Sequence, residues 1–89
     1  MGIFSDIQNK TSKIAVIGLG YVGLPLALEF AKKYKVLGFD INQKRVDMLN
    51  RQEDPSKELS SDAFNGCDIT FSAYLEELKT CQFYIVAVP

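Results

Sequence analysis

Histidine and tryptophan are absent from this chain, and only two cysteines and three prolines occur among its 89 residues. Without histidine, Cys67 and Cys81, fourteen positions apart, cannot complete a zinc site or a Cys-His nucleophile pair. Both are expected to be small buried or partly buried hydrophobes, and no metal ligand or catalytic residue is assigned in the chain. Long apolar runs are missing: Ile14 to Leu19 and Phe83 to Val88 fall far short of the ~20 residues that a membrane-spanning helix needs. The N-terminus lacks the basic, apolar and small-residue order of a signal peptide, and Asp6 stands where a myristoylation start wants Ser or Thr. No charge of one sign dominates, with ten basic residues against eleven acidic ones and a net charge of −1. A nucleic-acid partner, which asks for a basic surface, is not expected, nor is a membrane partner, and the expected location is the cytoplasm.

The residues that are present, 47% hydrophobic and 24% charged, have the balance of a globular domain. Residues 1–12 read as a polar N-terminal extension in which Ile3, Phe4 and Ile7 make a turn. Ile14 to Ile17 is a continuous, β-branched run, which suits a strand covered on both faces. The spacing predicts a helix over 22–35, with Val22, Leu26, Phe30 and Tyr34 four apart and a parallel stripe of Gly23, Ala27 and Ala31 that lets the helix approach a sheet closely. Pro25 falls near its first turn, and Glu29 is placed to pair with Lys33 on the outer side. Val36 to Asp40 reads as a second strand. Asn42 is a good N-cap for a helix over 43–52, with Val46 and Leu49 on one face and Asp47 and Arg51 paired outside. Segment 53–66, with Asp54-Pro55-Ser56, Ser60-Ser61-Asp62 and Asn65-Gly66, reads as loop with one helical turn. Ile69 to Phe71 makes a third strand, Ser72 caps a short helix through Leu75 and Leu78, and 83–88 is a fourth strand. The order β-α-β-α-β-α-β predicts an α/β fold: a Rossmann-like three-layer αβα arrangement, the first half of a doubly wound parallel sheet of about four strands, ordered 3-2-1-4.

The chemistry gathers at the first turn. Gly18-Leu19-Gly20-Tyr21-Val22-Gly23 is a G-x-G-x-x-G placed between a predicted strand and a predicted helix. In that setting Gly18 permits the tight turn, Gly20 leaves room for a pyrophosphate, and Gly23 lets the helix pack on the sheet. Backbone N–H groups at the helix start then face the diphosphate, and the helix dipole favours its charge. Asp40 follows Gly23 by seventeen positions at the end of the second strand. A carboxylate there accepts hydrogen bonds from ribose hydroxyls and repels a 2′-phosphate, which favours NAD over NADP; the competing reading is a solvated strand-end aspartate. Arg45 on the next helix either lies near the ribose or adenine or is an ordinary exposed arginine.

The stretches Lys13 to Ala27 (KIAVIGLGYVGLPLA), Gly38 to Asn42 (GFDIN) and Phe83 to Pro89 (FYIVAVP) resemble the N-terminus of the UDP-glucose/GDP-mannose dehydrogenase family, most of all its UDP-N-acetylhexosamine 6-dehydrogenases of bacterial surface-polysaccharide synthesis. The resemblance implies NAD contacts at Gly18, Gly20, Tyr21, Val22, Gly23, Asp40 and Arg45, with Val88 and Pro89 on the nicotinamide side. It also implies oxidation of a sugar C6 hydroxyl to a carboxylate, with two NAD reduced and a thioester on a catalytic cysteine. Neither Cys67 nor Cys81 stands at that cysteine's position. Family members are several times longer, so residues 13–89 are expected to be part of an NAD-binding domain in a fragment of a longer enzyme. The fragment is expected to be inactive by itself, with the UDP-sugar a partner of the homo-oligomeric parent only. Segment 53–66 matches the family pattern poorly, and nothing is carried onto it. Two other readings stay open: a regulatory dinucleotide-binding module of the kind attached to potassium channels, and the N-terminus of a hydroxyacid dehydrogenase, whose GLGxxGxP is similar. Phe39 to Asn42 suits the nucleotide-sugar branch better.

Overall fold

The computed structural model describes residues 13–87; the turn expected at Ile3, Phe4 and Ile7, and the roles expected of Val88 and Pro89, lie outside the described residues. Four parallel strands, β1 (Lys13–Ile17), β2 (Lys35–Phe39), β3 (Ile69–Ser72) and β4 (Phe83–Val86), form one sheet in the order β3-β2-β1-β4. Central β1 needs apolar cover on both faces, and Ile14, Ala15 and Val16 are all buried. Alternation sorts the core into two layers. Val16 and Val36 face the larger cluster, with Leu24, Ala27, Leu28, Leu49 and Phe64, while Ala15 and Leu37 pack with Cys81 and Leu78 in the smaller one. The α/β architecture and strand order expected from the sequence are the observed ones.

Helix α1 (Gly23–Ala31) follows β1 and is shorter than the 22–35 expected. Lys32 and Lys33 turn their N–H groups to carbonyls three back, at Glu29 (3.3 Å) and Phe30 (3.1 Å), and the N–H of Asp68 takes the carbonyl of Ala31 at 2.8 Å. That last bond ties the helix end to the entrance of β3. The small stripe Gly23, Ala27 and Ala31 is buried against the sheet together with Leu24 and Leu28, whereas Val22 is 57% exposed. Glu29 pairs with Lys32 at 3.1 Å rather than with Lys33, because the last turn tightens before residue 33.

Helix α2 (Gln43–Asn50) is capped by Asn42, whose side chain accepts from the Arg45 N–H at 3.1 Å, and it buries Val46 and Leu49 as expected. It stops before 52: Gln52 takes a left-handed φ of 61° and sends the chain back along the helix. Asp47 accepts from Gln43 (2.9 Å), four residues back on the helix, and Arg51, beyond the helix end, pairs with Glu53 (3.5 Å) instead of Asp47. The single helical turn expected in 53–66 is a 3-10 turn at Ser61–Phe64. Ser72 ends β3 rather than capping α3 (Leu75–Leu78) directly; its hydroxyl accepts from the Tyr74 N–H (3.0 Å) and donates to Glu77 (2.9 Å), which steers the chain into the helix. The cysteines pack as expected, Cys81 buried and Cys67 partly so. Burial pushes both thiols above their ordinary range, the state of an inert sulfhydryl rather than a nucleophile.

Candidate functional site

The site is assembled where β1 ends. Gly18 donates its N–H to the carbonyl of Phe39 (2.8 Å), Ala87 donates to Ile17 (2.9 Å), and the strand end is thus held on both sides. Gly18 adopts φ +96°, and a Cβ on it would collide with the carbonyl oxygen of Ala87. A Cβ on Gly23 would collide with the carbonyl oxygen of Gly18. Both positions are closed to any side chain by backbone, so the turn has to be built from glycine. Gly20 differs: a Cβ there meets nothing nearer than the Arg45 Nη1 at 3.8 Å, so the space beside it is open. Helix α1 then begins at Gly23 with Val22 as N-cap, with no side-chain cap and no acid in its first turn. Its N-terminal end keeps its attraction for an anion.

Asp40 stands at the neighbouring strand end. It is 8% exposed, which overturns the solvated-aspartate reading. Its Oδ2 accepts the Leu19 N–H at 2.8 Å and its Oδ1 accepts the Asn42 N–H at 2.9 Å. The Arg45 Nη1 lies 3.5 Å from Oδ2, with the arginine side chain 35% exposed. Arg45 is therefore a half-buried partner of Asp40 and not a free surface cation. One cleft of about 150 Å³ brings together Gly18, Gly20, Tyr21, Val22, Gly23, Asp40 and Arg45, seven of the nine residues singled out in the sequence. Val88 and Pro89 are the other two and lie outside the described residues. Ala87 also lines the cleft and went unnoticed in the sequence, although its place directly after the fourth strand is the signal that marks it.

Segment 54–59, to which the sequence assigned nothing, folds back beside this cleft. Asp54 is buried and accepts from the Ser56 N–H (2.9 Å), the Ser56 hydroxyl (2.8 Å), the Glu58 N–H (3.0 Å) and the Leu59 N–H (2.8 Å). Burial raises its pKa, but these bonds outweigh that and hold the carboxyl below its ordinary value. Asp-x-Ser is the sequence signature of such a self-bonded turn.

A parallel 3-2-1-4 sheet, a glycine turn opening a helix and a buried acid at the adjoining strand end define a Rossmann-type dinucleotide-binding domain. The chain belongs to the UDP-glucose/GDP-mannose dehydrogenase family: the family's NAD binding domain matches residues 12–89. Membership decides among the three readings of the sequence. Protein CapL of Staphylococcus aureus is 45% identical over 76 residues, 85% of this chain and 18% of that protein. The UDP-N-acetyl-D-glucosamine 6-dehydrogenase of Salmonella typhi is 46% identical over 78 residues, 86% of this chain and 18% of that enzyme. Among solved structures, the UDP-N-acetyl-mannosamine dehydrogenase Cap5O from Staphylococcus aureus superposes with a TM-score of 0.67 at 37% identity, covering 88% of this chain and 20% of that one. The chain thus spans less than a quarter of the length of each of these relatives.

Proposed function

We propose that this chain is the NAD-holding part of a longer NAD-dependent UDP-sugar 6-dehydrogenase acting on a UDP-N-acetylhexosamine. The observation that carries this reading is the buried Asp40 carboxylate set against the glycine turn in one cleft. The fit is chemical as well as spatial. The open space beside Gly20 is a cradle that a side chain would fill, and the uncapped start of α1 suits a diphosphate. Asp40 retains lone pairs beyond the two backbone bonds it accepts, enough to take a ribose hydroxyl. Arg45 balances its charge at 3.5 Å and would border the same ribose. Tyr21 and Val22, both exposed, would flank the diphosphate, and the family resemblance assigns Val88 and Pro89 to the nicotinamide side.

When bound, NAD takes up the hydride released from the carbon being oxidised. In this reading the parent carries the C6 hydroxyl to a carboxylate with two NAD reduced, using a cysteine that is neither Cys67 nor Cys81. Residues 13–89 serve as the first part of its cofactor domain. The reading includes a cytoplasmic, homo-oligomeric parent in surface-polysaccharide synthesis; its hexosamine substrate is supported by relatives that carry hexosamine dehydrogenase names. Two measurements test it: titration calorimetry with NAD, expected to show binding to the 89-residue chain, and NADH formation from UDP-N-acetylglucosamine, expected to be nil. Steady NADH production by this chain alone overturns its inactivity, and absence of NAD binding overturns the NAD-holding role.

A further inference from the structure

The Asp54 carboxylate spends all four of its hydrogen bonds inside its own loop, on Ser56, Glu58 and Leu59, and so works by giving that loop a shape. Leu59 anchors the far end of the loop on the larger core cluster, beside α1. The near end, Pro55 and Ser56, stands against the glycine turn. Two narrow gaps separate them. One, of about 60 Å³, lies between Gly20 and Tyr21 on one side and Asp54 and Ser56 on the other. The second, of about 40 Å³, adds Arg45 to the turn side and Pro55 to the loop side. Spaces of this size hold only one or two waters, so they are seams between packed walls rather than ligand sites. Tyr21 is 74% exposed and borders both seams as well as the main cleft, and Arg45 borders the cleft and the second seam.

We propose that Asp54 is a positioning residue for the dinucleotide cleft, holding segment 54–59 as a side wall that keeps Tyr21 in place beside the diphosphate turn. The proposal rests on the NAD reading above. Asp54→Asn keeps the shape but turns an amide NH2 toward the N–H groups of Glu58 and Leu59, so the wall loosens while the sheet remains. Adenosine lacks the diphosphate and depends on Asp40, which lines neither seam and is held by the Leu19 and Asn42 N–H groups rather than by the wall.

The test compares NAD and adenosine binding to the 89-residue chain and its variants by NMR titration, well below each variant's melting temperature. Asp54→Asn is expected to weaken NAD by about tenfold and adenosine by less than about twofold. Ser56→Ala, which removes only the hydroxyl donor and keeps the other three bonds, is expected to show the same selective loss at smaller size, and it decides the matter if Asp54→Asn does not fold. Equal NAD affinity in the folded variants, or a parallel loss of NAD and adenosine, overturns the positioning role and leaves the NAD reading intact. A wild-type chain that binds adenosine but not NAD overturns the NAD reading itself.

Discussion

The backbone N–H of Leu19 donates to the Oδ2 of Asp40 at 2.8 Å, joining the middle of the glycine turn to the end of the neighbouring strand. In the proposed reading, the acid that would face a ribose therefore also holds the turn that would face a diphosphate. Asp40→Ala should lower NAD affinity by about 1–3 kcal/mol through loss of charge-assisted hydrogen bonds. It should also lower stability by about 1–3 kcal/mol, since the buried Leu19 N–H loses its acceptor. Calorimetric titration and urea unfolding of the same variant measure the two losses, and an unchanged unfolding midpoint would contradict the structural half.

Cofactor choice follows from the same carboxylate. Ile41 and Asn42 follow Asp40, so no arginine stands at those positions to receive a 2′-phosphate, and the nearby Arg45 is already paired with the Asp40 carboxylate at 3.5 Å. NAD should bind at least ~tenfold more tightly than NADP, and equal affinities would remove Asp40 from the ribose.

The glycines of the turn should separate by function. Gly23→Ala forces a Cβ into the carbonyl of Gly18 and should destabilise the fold by at least ~1–3 kcal/mol. Gly20→Ala meets no such obstacle and should leave the melting temperature unchanged or slightly higher, while its methyl group fills the cradle and weakens NAD. Thermal melts paired with NAD titrations distinguish the two; matched melting temperatures would refute the distinction.

Acid should weaken the fold partly through Asp54. Its carboxyl is held below the ordinary value of 3.8, so the folded state favours the ionised form. Stability from this group is present above that value and is lost as pH falls through the lower, folded-state value. Melts of wild type and Asp54→Asn across this acid range should converge as pH falls. A constant gap would deny the linkage.

Strand β4 pairs only with β1 among the described residues, and Tyr84 and Val86 are exposed on it. An uncharged edge of this kind invites pairing with another chain. The 89-residue chain should self-associate through residues 83–88 at micromolar concentration, or fray there, as light scattering and hydrogen exchange would report. A monodisperse monomer with strongly protected amides at 84–86 would defeat this expectation.

Local chemistry in the sequence determined the strands, their order in the chain and the glycine turn, because these rest on short-range patterns. An unbroken apolar run such as Ile14 to Ile17 needs cover on both faces, and Asn42 caps a helix with neighbours three residues away. Tertiary packing decided what depends on residues far apart. It chose the small stripe of α1, with Leu24 and Leu28, as the buried face, because only that side fits closely on the sheet. It closed the bond between Leu19 and Asp40, whose partners lie 21 residues apart and meet only once β1 and β2 are paired. It also brought Asp54 back to the glycine turn, along a path set by the left-handed Gln52, whose side chain carries no local signal for that conformation.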